Sequence, residues 1–239
     1  MGMNLLNRRI TFGGEVVPAR IASSPNIIRA PRKITVVQVP GSNREIVDME
    51  DAWECYDQPY SLFVGDGTED SIQEVLTNTA KVLYKTGWQV LIDDYEPDIF
   101  RLAYYQGGFD VTNKKTRVGK FDITFRCRPE RYLNSGNVPV EIPTGSVITN
   151  PTAYKAKPLI HITGSGSGTL TIAGQEVEIN NMVDYLNIDS DTMDTYRQLG
   201  ENRNNLMEGE YPLILPGNNY ITFTGGITSA TITPRFWTP

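Results

Sequence analysis

The residue best suited to general acid–base chemistry near neutral pH is the single histidine, His161. It falls in an alternating segment, with Leu159, His161 and Thr163 on one side and Ile160 and Ile162 on the other. No G-x-S-x-G elbow accompanies it, so a nucleophilic triad has no local frame. One histidine and two separated cysteines, Cys55 and Cys127, make neither a C-x-x-C pair nor an H-E-x-x-H helix, and no metal site is expected. The run Gly164-Ser-Gly-Ser-Gly168 has the composition of a phosphate loop. No lysine follows it, however, and Thr169 to Ile172 reads as a strand rather than a helix; a flexible hairpin turn is the expectation. Carboxylates cluster at Asp48, Glu50 and Asp51, at Asp93 and Asp94, and at Asp189, Asp191 and Asp194. Paired carboxylates hydrolyse glycosides and oxygen-rich loops hold calcium. Met193 and Asp194 stand where an EF-hand needs an oxygen ligand and Gly, so solvated turns are the simpler reading of all three clusters. Tyr104, Tyr105, Tyr185 and Trp237 are of the type that stacks on sugars, lines an interface or fills a core. Nothing here assembles into a catalytic site, and neither enzyme activity nor a cofactor is expected.

Composition narrows the function classes. At 239 residues the chain exceeds one typical domain, and a 39% hydrophobic content suffices for a core. The formal charge of −6 argues against general nucleic-acid binding, which needs a field that attracts phosphate. Arg8 and Arg9, then Arg29, Arg32 and Lys33, then Lys114, Lys115 and Arg117 read as scattered surface charge. The segment from Met1 to Ile10 lacks the apolar run of a signal peptide, and no stretch approaches the roughly 20 apolar residues of a spanning helix. Manufacture in a cytoplasm is expected, without membrane insertion, and both cysteines are expected as free thiols.

The elements that must position these residues are mostly strands. Ile34 to Val39 reads as a strand, followed by a Pro40-Gly-Ser-Asn43 turn and a return strand near Arg44 to Val47. Gln89 to Ile92, Ile99 to Tyr105 and Lys120 to Cys127 are similar. The last alternates Phe121, Ile123, Phe125 and Cys127 against Asp122, Thr124 and Arg126. One helix is predicted at about 71–86: Ile72, Val75, Leu76, Val82 and Leu83 share a face, bridged by Thr79 and Ala80. Ser71 to Glu74 offers a capping box, with Thr68 as a competing N-cap, and Gly87 ends the helix. Asn134 to Pro151, rich in Gly, Pro, Ser, Asn and Thr, then reads as a linker with one short extended segment. Six short strands follow: 158–163, 169–172, 176–179, 185–188, 220–223 and 230–233. The fold class is mainly β: an α+β N-terminal domain at 1–134, a linker at 135–150, and a compact antiparallel β-sandwich at 151–239.

Several blocks occur in a telling order. Phe125-Arg-Cys-Arg-Pro129 is followed by Arg131-Tyr132, Ile148-Thr-Asn150-Pro151 and Lys157-Pro158-Leu-Ile-His-Ile-Thr-Gly164. Then come Tyr185-Leu-Asn-Ile-Asp189, Asp194-Thr-Tyr196 and Met207-Glu-Gly209-Glu-Tyr-Pro212-Leu-Ile-Leu-Pro216-Gly217-Asn-Asn219, and the chain ends on Ile232-Thr-Pro-Arg235-Phe-Trp237. This ordered set, spanning nearly the whole chain, resembles the distal tail proteins of siphophages, the bacteriophages with long, non-contractile tails. The resemblance implies an N-terminal domain that closes into a homohexameric ring and a galectin-like C-terminal sandwich that points outward. It implies a virion structural protein at the tail tip, a baseplate hub in host adsorption. Its implied partners are the tail tube protein, the tail-associated tip protein and the receptor-binding proteins. The ring contacts are not assigned by it. Twelve residues carry the family-like pattern: Phe125, Pro129, Arg131, Tyr132, Asn150, Pro151, Pro158, Gly209, Pro212, Pro216, Gly217 and Asn219. Their chemistry is structural, since Gly, Pro and Asn set turns. The alternative reading is a carbohydrate-binding module for a host cell-wall saccharide, and a third is a cell-wall hydrolase with a carboxylate pair.

Overall fold

The alternation of residues 120–127 lies within one long strand, residues 118–133, and the first half of the protein is arranged around it. The computed structural model describes residues 8–65, 72–115 and 118–239, without the side chains of 112–115 and 118. The chain divides after Arg131 into two units, the second running from Tyr132 to Thr238. The first contains β1 (Ile10–Phe12), β2 (Glu15–Val16), β3 (Arg20–Ile21), β4 (Arg32–Gln38), β5 (Glu45–Trp53) and β6 (Tyr56–Val64). After these come α1 (Ile72–Leu83), β7 (Gln89–Asp93), β8 (Ile99–Tyr105), β9 (Thr112–Lys115) and β10 (Val118–Leu133).

The main sheet runs β2-β1-β7-β8-β10-β6-β3, with β9 folded back on β10. Phe121, Ile123, Phe125 and Cys127 of β10 and Tyr56, Tyr60, Leu62 and Val64 of β6 share the core face. Helix α1 covers that face with Val82 and Leu83, fully buried Thr79, and half-buried Ile72, Val75 and Leu76, the stripe its spacing predicts. The capping residues Thr68 and Ser71, Arg117 and the first seven residues lie outside the described residues. Strand β6 is interrupted in sequence by Pro59, which hides it from pattern reading. Strand β3 pairs with β6 only at Leu62 and Phe63, so at Pro59 β10 is the one ladder partner among the described strands and the missing N–H is tolerated. The return strand expected near Arg44 to Val47 extends to Trp53.

The second unit holds β11 (Val140–Ile142), β12 (Ser146–Asn150), β13 (Leu159–Ile172), β14 (Gln175–Asp189), β15 (Asp194–Tyr196), β16 (Met207–Glu208) and β17 (Gly217–Thr233). All its ladders are antiparallel. The six short strands expected from sequence are three long ones. Residues 158–163 and 169–172 fuse in β13, 176–179 and 185–188 in β14, and 220–223 and 230–233 in β17. A straight strand of 14 residues would span about 46 Å. Residues at both ends nevertheless share one core: Ile160 with Ile172, Val177 with Ile188, and Ile221 with Ile232. The strands therefore bend midway and serve both layers of a sandwich. Edge strands follow the same division. Strand β11 pairs with the end of β17 and β12 with its start, while β15 pairs with the end of β14 and β16 with its first half.

Two expectations are corrected here. Gly164-Ser-Gly-Ser-Gly168 is not a hairpin turn but the corner of β13, where the ladders to β14 and β17 both shift register. A Cβ on Gly164 would lie 1.9 Å from the Gly226 carbonyl oxygen, and one on Gly226 would lie 1.9 Å from that of Ser165. Glycine is needed because two backbones touch. The supposed linker at 135–150 supplies β11 and β12; its Gly, Pro and Asn residues punctuate short edge strands instead of freeing the chain.

Candidate assembly surfaces

The family-like residues do not converge on one site. Phe125 is fully buried, with its ring 4.9 Å from Phe12 and 5.8 Å from Tyr105. Pro129 and Tyr132 are half-buried on β10. Those of the second unit set separate turns and close backbone approaches. Asn150 donates to the Tyr154 carbonyl at 2.8 Å and accepts from the Thr152 amide at 3.0 Å, which turns the chain after exposed Pro151. Asn219, with no exposed surface, donates to the carbonyls of Leu215 and Gly217 and accepts from the Leu215 amide at 2.8 Å. It closes the Pro216–Gly217 turn. The register Asn150↔Gly217 places the two asparagine motifs side by side. Buried Pro158 and Pro212 are joined through Ser190, whose amide and hydroxyl donate to their carbonyls at 3.0 and 2.8 Å. Gly209 lies against the Glu176 carbonyl, 2.7 Å from where a Cβ would stand.

The last family-like residue belongs to a buried ionic network in the first unit. Arg101 and Arg131 are 0% and 1% exposed. Arg101 donates to Asp93 at 3.0 Å and to the Tyr56 hydroxyl at 3.2 Å, and Glu96 bridges Arg101 and Arg131. Tyr60 donates to Asp93 at 2.7 Å. Burial pushes the Tyr56 hydroxyl up to about 12, and burial with the adjacent Asp93 raises Tyr60 further. Burial opposes the Arg101 charge, but Tyr60, Tyr56, Asp93 and Glu96 outweigh it and hold the guanidinium above its usual value. Each carboxylate is engaged by arginine, an arrangement that fixes geometry rather than moving protons.

Two carboxylates read as solvated turns are thereby corrected. Asp93 is 2% exposed inside that network. Asp189 is 8% exposed and receives two bonds from Arg235, at 2.6 and 3.0 Å. Burial penalises its charge, yet Arg235 and the amides of Asp191 and Thr192 prevail and keep its carboxyl below the usual range. Among the aromatics, Tyr105 is a core residue, and Trp237 packs on Tyr154 at 5.0 Å and donates to the Lys155 carbonyl. Tyr104 stacks edge-on with Trp88 at 4.9 Å, and Tyr185 lies 5.4 Å from His161 with the Arg197 guanidinium over its ring. His161 also bonds to Asn187 at 2.8 Å. Cys127 is buried and its thiol is pushed up to about 12 by burial; Cys55 is likewise unpaired with another cysteine.

The feature that sequence reading missed is what β4 and β5 do. Among the described residues they pair only with each other, as a ribbon separate from the main sheet. Their register sets Ile34 opposite Met49 and Val36 opposite Val47, with Gln38–Glu45 beyond, so one face carries four adjacent apolar side chains. The other carries Val37 opposite Ile46. These six side chains are 47–58% exposed. An isolated hairpin is marginal in water, and a contiguous exposed apolar patch marks an interaction surface. The available signal was the density of Ile, Val and Met on both sides of one turn.

No family model matches the sequence, and no curated protein matches it. Solved structures do. The SPP1 Dit (gp 19.1) protein, described as a paradigm of the hub adsorption apparatus in phages infecting Gram-positive bacteria, superposes with a TM-score of 0.74. It is 12% identical, and the match covers 94% of this chain and 97% of that one. Chains of the phage P2 baseplate in its activated conformation, with Ca and with Sr, give TM-scores of 0.51 and 0.52 at 12% identity, covering 94% of this chain and 96% of theirs. At such identity the likeness is one of fold: this chain has the fold found in a phage adsorption hub and in baseplates.

Proposed function

We propose that this protein is a structural component of a siphophage tail tip, a distal tail adaptor. Six copies close into a ring that joins the tail tube to the tip protein and carries receptor-binding proteins. The observation that carries the reading is the end-to-end likeness to the SPP1 hub protein, over both units at once. The uncovered β4–β5 ribbon supports it, since apolar side chains held in water on a two-stranded ribbon suit burial by another chain. So does the use of the ionisable groups: the buried carboxylates serve as ion-pair partners that fix the fold. A ring needs surfaces to match and no reaction to run, and no catalytic role is assigned to this chain. The test is electron microscopy of particles decorated with a gold-labelled antibody against this protein. Label at the end of the tail is expected. Label on the head or along the whole tube would refute the adaptor role.

A further inference from the structure

A closed ring requires two different faces of one protomer to meet, so the ribbon needs a complement elsewhere on the same chain. The first unit offers one. The register Val90↔Leu102 puts these residues on the face of the main sheet opposite its core, and Trp88 and Tyr104 continue the row, with their rings 4.9 Å apart. Trp88 and Val90 are each 38% exposed, and Leu102 and Tyr104 are half-buried. The neighbouring strand β10 sends Arg126 and Arg128 to the same face, and the Arg128 guanidinium lies 4.9 Å above the Trp88 ring. The only carboxylate on β7 and β8, Asp93, is buried on the other side, and Asp122 of β10, on the same face as Arg126, accepts from the Ser61 hydroxyl. Arg126 pairs with exposed Asp57 at 3.2 Å, and Arg128 makes no ion pair among the described residues.

The ribbon has the opposite character. Its apolar face, Ile34, Val36, Val47 and Met49, ends in Glu45 at the turn and Asp51 at the base. Asp51 is 90% exposed and only 4.0 Å-paired to Arg32. We infer that the apolar face of the ribbon seats on the Trp88–Val90–Leu102–Tyr104 face of a second copy of this chain, with its acidic base at Asp51 toward Arg126 and Arg128. The inference rests on the ring reading and specifies its contact. Apolar rows match apolar rows, and the flanking charges are complementary, which fixes direction as well as attraction. The contact is heterologous, so it propagates head to tail and closes when the rotation permits.

The test is site-specific cross-linking in assembled tails. Met49→Cys and Val90→Cys are made singly and together in a Cys55→Ser chain; both positions are exposed, while Cys127 is buried with its thiol pushed up to about 12. A short bismaleimide is expected to convert the double variant into a ladder of multimers, and to leave each single variant monomeric on a denaturing gel. Dimers from Met49→Cys alone would overturn the pairing in favour of ribbon on ribbon. A ring visible in micrographs without any ladder would overturn the pairing and leave the ring standing. Tails with no ring of this protein would overturn the ring reading and the pairing with it.

Discussion

The corner of the second unit and the ribbon of the first are built on opposite principles. At the corner, Gly164 and Gly168 of β13 and Gly225 and Gly226 of β17 lack side chains, so that two long strands can bend with their backbones in contact. On the ribbon, Ile34, Val36, Val37, Ile46, Val47 and Met49 keep large apolar side chains in water. The first arrangement leaves no room and is complete within one chain. The second is incomplete alone. Where small residues crowd together the sequence serves the fold; where large apolar residues stand uncovered, the proposed ring assigns them to a partner.

Substitution should separate the two regions sharply. Gly226→Ala places a methyl 1.9 Å from the Ser165 carbonyl oxygen, and loss of more than about 4 kcal/mol or outright misfolding of the second unit is expected, read by denaturant unfolding. Gly166, with open space around its absent Cβ, is the control: Gly166→Ala should cost only about 1 kcal/mol, from its φ of +82°. Arg101→Ala should destabilise the first unit by roughly 3–5 kcal/mol, because Asp93 and Glu96 lose their buried partner. At the ribbon the expectation reverses. Val36→Ser with Val47→Ser should change protomer stability by no more than about 0.5 kcal/mol per site, yet abolish incorporation into tails, scored by blotting purified particles.

The smallest effect concerns pH. Asp189 has its carboxyl held below the usual 3.8, so it stabilises the fold above that value, and the contribution is lost as pH falls through the lowered folded value. Asp189→Asn should therefore be less stable than the parent at neutral pH, with the gap closing as pH drops below about 4 in the unfolding curves. A gap that stays constant down to pH 2 would show that Asp189 acts through packing rather than charge.

What could be read in the sequence depended on whether structure was local. The alternation of Phe121, Ile123, Phe125 and Cys127 and the helical stripe from Ile72 to Leu83 announced their faces directly, because each period is set within one element. The fusion of six strands into three was not legible. A glycine corner and a hairpin turn use the same residues, and only the register of neighbouring strands tells them apart. Asp93 and Asp189 looked like turn residues because their arginine partners, Arg101 and Arg235, become visible only when the chain folds. The ribbon was legible as two strands and a turn, while its exposure depended on which faces the other described elements cover. The ordered motifs of the second unit mapped to turns such as that closed by Asn219, which explains their composition without supplying chemistry.

The most direct test of the account is a reconstruction of the native particle around this protein by electron cryomicroscopy. A closed ring of six 26.7 kDa copies is expected at the distal end of the tail, each with the β4–β5 ribbon covered by the adjacent copy. A ring in which every ribbon projects uncovered into solvent, or a protein present as isolated copies, would contradict it.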